Sequence, residues 1–120
     1  MSVARYWKES LELPSRHPNE LDQRRIARAL KQRERYRYVE PQVLPMSDGY
    51  LIRSACCSRN IDPEGGEIDV ALLCWSDSPP EWRLFRKDHG ASNWVPDSRF
   101  ARLDALLRRL NADPDRLFWQ

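Results

Sequence analysis

The chain lacks a surplus of either charge, a cysteine framework and a long hydrophobic run, and each absence excludes a class of protein. Its 20 Lys and Arg stand against 18 Asp and Glu, a formal charge of +2, so global electrostatics gives no argument for nucleic acid or a membrane surface. Any such argument must be local. Three Cys, two of them adjacent at Cys56 and Cys57, make no disulfide framework and leave one over in any pairing, which points to a reducing compartment and a cytoplasmic protein. The longest apolar run, Val70 to Trp75, is about a third of a membrane span. The first 20 residues include Lys8, Glu9, Glu12, Arg16 and Glu20 without a sustained apolar stretch, so neither a secretory signal nor a membrane partner is expected. No internal repeat appears.

What is there suffices for one core. At 120 residues, with 41% apolar side chains and five Trp, four Tyr and three Phe, the chain is expected to fold as one domain. Residues 1–18, broken by Pro14 and Pro18, read as an arm that docks through Tyr6, Trp7, Leu11 and Leu13, and residues 19–120 as the domain. Asn19 is a good N-cap, and Glu20 and Asp22 place negative charge in the first turn of a helix expected to run to about Arg37. Pro41 and Pro45 make 40–46 an edge strand, and Ser47-Asp48-Gly49 turns it into the strand 50–55. After a polar insert, 68–75 is apolar at nearly every position, as in a central strand covered on both faces or at a crowded interface. Pro79-Pro80 turns it into a strand in which Trp82, Leu84 and Arg86 alternate with Arg83, Phe85 and Lys87. Asn93 to Val95 reads as a short last strand stopped by Pro96. Asp97 or Ser98 then caps a second helix with Phe100, Leu103, Leu107 and Leu110 on its apolar face. Asp113-Pro114 ends that helix, and the apolar ending at Leu117, Phe118 and Trp119 is expected to fold back. The order predicts an α+β fold: an N-terminal helix, an antiparallel sheet of four to five strands, and a C-terminal helix packed on the sheet.

This layout over Leu21 to Gln120, with the Arg-rich first helix, Glu81-Trp82-Arg83-Leu84-Phe85, the isolated Trp94 and the ending Asp113-Pro114-Asp115-Arg116-Leu117-Phe118-Trp119, resembles a small bacterial domain-of-unknown-function family, number 3024. The resemblance implies a bacterial origin and a compact α+β fold, and it carries no assigned activity.

The constellations that carry chemistry are sparse. Cys56, Cys57, Cys74, His89 and His17 are the soft metal donors, but adjacent Cys on a strand point to opposite faces and no Cys-x-x-Cys pair exists, so neither metal nor cofactor is expected. Cys74 reads as a small core residue. Cys57 with His89 and Asp88 has the ingredients of a thiol enzyme, although Asp88-His89-Gly90 is equally explained as a turn. Gly66-Glu67-Ile68-Asp69 resembles the start of a nuclease-like family of the restriction-endonuclease superfold. In that family a later strand supplies a second acid, which here is replaced by Phe85 in Phe85-Arg86-Lys87. The leading expectation is a non-enzymatic interaction module for a protein partner, with Arg59, Asn60, Asp62, Asp88 and His89 on one loop edge. The alternative is nucleic-acid binding by the first helix, where Arg24, Arg28, Lys31 and Arg35 form a basic stripe.

Overall fold

The protein is represented by a computed structural model that describes residues 17–33, 40–55 and 66–119. Asn19 starts the first helix as expected: its side-chain oxygen accepts the Asp22 N–H at 2.7 Å, supplying one of the partners that a helix start otherwise lacks. Helix α1 is Glu20–Leu30, shorter than the expected run to Arg37. Lys31 caps it, Lys31 and Gln32 form a turn, and Arg33 leaves the helix as a buried side chain. Five strands follow, β1 Gln42–Met46, β2 Gly49–Ala55, β3 Glu67–Asp77, β4 Pro80–Asp88 and β5 Asn93–Phe100, and then α2 Leu103–Ala112. The sheet is an antiparallel meander in the order β1-β2-β3-β4-β5, with β3, the most continuously apolar strand, at its centre. Both outer strands carry a proline, Pro45 and Pro96, which has no N–H to offer a further strand.

Two expectations fail at the β5–α2 junction. Pro96 does not stop β5, because a proline on an edge strand breaks no ladder when its nitrogen faces outward. The strand therefore runs on to Phe100, and neither Asp97 nor Ser98 caps the helix. Arg102 occupies the N-cap position without a side-chain capping bond. Asp97 is instead the extra residue where the register slips between Leu84↔Ser98 and Phe85↔Pro96. It faces α2, where Arg109 grips its two oxygens at 3.1 and 3.3 Å. A carboxylate only 8% exposed requires such a partner.

One face of the sheet holds the core. Tyr50 and Ile52 on β2, Ala71 and Leu73 on β3, and Trp82 and Leu84 on β4 meet Ile26 and Leu30 of α1 and Leu103, Leu106 and Leu110 of α2. The C-terminal segment closes this core. Asp113 adopts a left-handed conformation (φ 35°), and its fully buried carboxylate accepts the N–H groups of Leu117 at 2.8 Å, Phe118 at 3.1 Å and Trp119 at 2.7 Å. Phe118 and Trp119 are thereby driven inward. The Trp119 indole N–H donates to the Leu110 carbonyl at 2.8 Å, and the Arg33 guanidinium lies 4.6 Å from the Trp119 ring centre. Burial lowers the Arg33 pKa from its usual value. The Asp-Pro to Phe-Trp ending is thus a folding clamp.

Charge-assisted hydrogen bonds to three backbone donors cannot be replaced by a methyl group. Asp113→Ala is expected to destabilise the fold by roughly 2–4 kcal/mol, read as a lower urea midpoint, with Asp113→Asn intermediate because one oxygen acceptor remains.

Candidate functional site

Side chains alternate across a strand, so the residues between the core positions face the other way. Read through the pairing, they form continuous rows. Leu44 opposes Leu51, Leu51 opposes Leu72, Leu72 opposes Phe85, and Phe85 opposes Pro96, an apolar row across all five strands. With neighbouring strands about 4.8 Å apart, this row is about 19 Å long. Leu44, Leu51, Leu72 and Phe85 are half-buried, and none belongs to the core cluster or packs against it. Both helices lie on the opposite face. Among the described residues no element covers this one.

The row is bordered on each side. Towards the β2–β3 connection lie Arg53, Asp69, Lys87 and Trp94: Asp69 stands 3.1 Å from Arg53 Nε and 3.4 Å from Lys87 Nζ, and Lys87 lies 4.9 Å from the Trp94 ring centre. The Arg53 contact is Coulombic, since its Nε–H makes no aligned hydrogen bond. Along the other border Met46, Gly49, Cys74, Arg83 and Arg99 are successive cross-strand partners. Glu81, next along β4, stands 2.9 Å from Arg83 and 3.8 Å from Arg99. The slip at Asp97 opens a depression of about 350 Å³ lined by Arg83, Phe85, Pro96 and Arg99 among others. Gly49 has no space for a side chain, because a Cβ there would stand 1.8 Å from the Leu73 carbonyl oxygen.

Cys74 therefore sits on this second face, half-buried, and not in the core as its apolar neighbours suggested. Its thiol pKa is raised by burial and by Asp48, against a lowering by Arg83, which keeps it protonated and a weak nucleophile at neutral pH. Asp69, the acid of the nuclease-like comparison, shares its face with Phe85 and Lys87, and its carboxylate is engaged by two cations. Among the described residues no three His, Cys, Asp or Glu converge as a metal site.

Of the expected loop edge, Arg59, Asn60 and Asp62 lie outside the described residues, as do Cys56 and Cys57. Asp88 ends β4 and His89 begins the β4–β5 turn, where Asp88 Oδ1 accepts the Ala91 N–H at 3.2 Å, ordinary turn chemistry. The Asp69–Lys87 pair shows that this turn and the strand ends flanking 56–65 lie at one end of the sheet, next to the Arg53–Trp94 border. Of the basic stripe, Arg24 pairs with Glu20 at 3.1 Å, both largely exposed. Arg28 is exposed on the same helix and Lys31 on the turn that caps it, and Arg35 lies outside the described residues.

The sequence reading missed His17 as a structural residue. It is 4% exposed, with Nδ1 3.1 Å from the Tyr50 hydroxyl and 3.4 Å from Asp22, and its ring centre is 4.5 Å from that of Trp82. The Tyr50 hydroxyl also accepts the Asn19 N–H at 3.0 Å. Burial, aided by the Asp22 charge and opposed by the Asn19 hydrogen bond, raises the Tyr50 pKa. The group ties the start of α1 to β2 and β4. No local pattern announces it, since it joins residues about thirty positions apart.

Residues 13–120 match a family described as a domain of unknown function, DUF3024, and the chain belongs to that family. No curated protein and no solved structure matches it. No described helix is long and apolar enough to cross a membrane.

His89 has a depressed pKa, by burial first and then by Lys87, with Asp69 and Asp88 opposing. A folded-state pKa below the unfolded one means that protonation favours unfolding. His89 is therefore neutral at pH 7, and the stability difference between the protein and His89→Gln should shift against the native His as pH falls below about 6.5. Urea midpoints of both proteins between pH 7.5 and 5 test this: parallel curves would contradict it.

Proposed function

We propose that this DUF3024 chain is a non-enzymatic binding module of the cytoplasm whose contact surface runs from the β2–β3 and β4–β5 end of the sheet onto the sheet's second face. The observation that carries the reading is the apolar row Leu44, Leu51, Leu72, Phe85 and Pro96, bordered by Arg53, Asp69 and Lys87 on one side and, at its β4–β5 end, by Arg83 and Arg99 on the other, and uncovered by any described element. A half-buried apolar row between charged borders is the anatomy of a contact surface, an apolar centre with a polar rim. Arg59, Asn60, Asp62, Asp88 and His89 supply the end of that surface in this proposal. The phosphate-binding alternative rests on Arg28 of α1 and Lys31 at its C-cap, both exposed and without an ion pair among the described residues. Arg24 adds little to it while held by Glu20, and Arg35 completes the stripe only in sequence.

The two surfaces are on opposite sides of the molecule, so substitution separates them. Capture from extract by the immobilised protein is expected to fall about tenfold for Leu72→Thr with Phe85→Thr. It should also weaken for Arg59→Ala with Asn60→Ala and Asp62→Ala, and hold for Arg28→Ala with Lys31→Ala. Thr keeps strand propensity, and unchanged thermal unfolding confirms that the fold is intact. Loss confined to the α1 variant would move the function to the helix.

A further inference from the structure

We infer, resting on the reading above, that the partner presents an amphipathic helix with an apolar stripe and acidic borders, laid along the Leu44–Pro96 row across the strands. Three observations select this occupant. The row is mainly aliphatic: Leu44, Leu51 and Leu72 offer methyl groups to apolar side chains, and Phe85 is its one aromatic ring. Its spacing suits a helix. Row residues recur about every 4.8 Å, near the roughly 5–6 Å separation of side chains three and four apart on a helix, and about 19 Å of row corresponds to about 13 helical residues. Its borders suit acids. Arg53 and Lys87 lie on one side, both paired with Asp69, and Arg83 and Arg99 on the other, both paired with Glu81.

The two borders are four residues apart along a strand, about 14 Å, slightly more than the 10–12 Å width of a helix. Acidic side chains flanking the apolar stripe therefore reach a cation on either side. Addition of a strand to the sheet edge, the other common way for a sheet to take a peptide, is opposed by Pro45 and Pro96 on the two outer strands. The depression beside Phe85, between Arg83 and Arg99, is the natural place for one larger apolar side chain at the β5 end, with a carboxylate next to it.

The probe is a fluorescein-labelled peptide of about 14 residues with Leu along one helical face, Glu on both borders of that face and Ala elsewhere, read by anisotropy on the intact protein. A second peptide carries Lys in place of Glu, and labelled oligothymidylate serves as the third probe. The Glu peptide should bind at least about tenfold more tightly than the Lys peptide at low salt. Leu72→Thr and Phe85→Thr should each weaken the Glu peptide about tenfold, with unfolding temperatures unchanged. Arg53→Glu with Arg83→Glu should reverse the preference towards the Lys peptide, a result that loss of folding cannot imitate. Equal binding of both peptides, or binding indifferent to these four positions, overturns the proposal. Oligothymidylate that binds through Phe85 and Arg83 while neither peptide does would overturn the helix and leave the face as the binding site. If capture from extract and all three probes were insensitive to the face, the binding-module reading would fall with it.

Discussion

An antiparallel sheet has two faces, and the described helices of this chain are spent on one. Burial of Tyr50, Ile52, Leu73, Trp82 and Leu84 against α1 and α2 is the dominant stabilising term. It fixes register, because a one-residue slip would turn each of these side chains outward. The same parity that sends them inward sends Leu51, Leu72 and Phe85 to the second face. The apolar row and the core are therefore two readings of one register, and no mutation that shifts the pairing alters one alone.

Three polar devices hold the single core layer closed. Asn19 and Tyr50 anchor the start of α1, with His17 packed between Tyr50 and Trp82. Arg109 and Asp97 pin α2 to β5, and Asp113 gathers the three N–H groups that draw Phe118 and Trp119 inward. Each satisfies groups that would otherwise be buried without partners, and together they tie both ends of the domain to the sheet. The family resemblance falls chiefly on the last device. A motif that closes a core speaks for architecture and is silent on activity.

Much of this was legible from local chemistry. Asn19 with Glu20 and Asp22 announced α1, the apolar density of 68–75 placed β3 at the centre, and Phe118-Trp119 was too apolar to remain in water. The failures share a cause. Pro96 reads as a stop, yet only the partner strand decides whether its missing N–H matters. Phe100 suits a helix face as well as a strand, and Cys74 looks like core until the register assigns its parity. The candidate surface was half visible: continuous apolarity in β3 pointed to a strand covered on both faces or at a crowded interface, whereas no described element covers its second face, and the alignment of Leu44, Leu51, Leu72, Phe85 and Pro96 exists only across strands.

In the proposed complex, the border charges account for a face that stays in water and still discriminates between partners. Asp69 stands between Arg53 and Lys87, and Glu81 between Arg83 and Arg99, so each acid holds two cations over the edge of the apolar row. An incoming carboxylate can take one of the two while the acid keeps the other, so that no cation is left without a carboxylate. A cationic partner gains no such exchange, because it meets Asp69 and Glu81 already engaged and four like charges around them. In the proposed complex, selectivity for acidic borders thus follows from the two-to-one ratio in each group, whereas adhesion comes from the row between them.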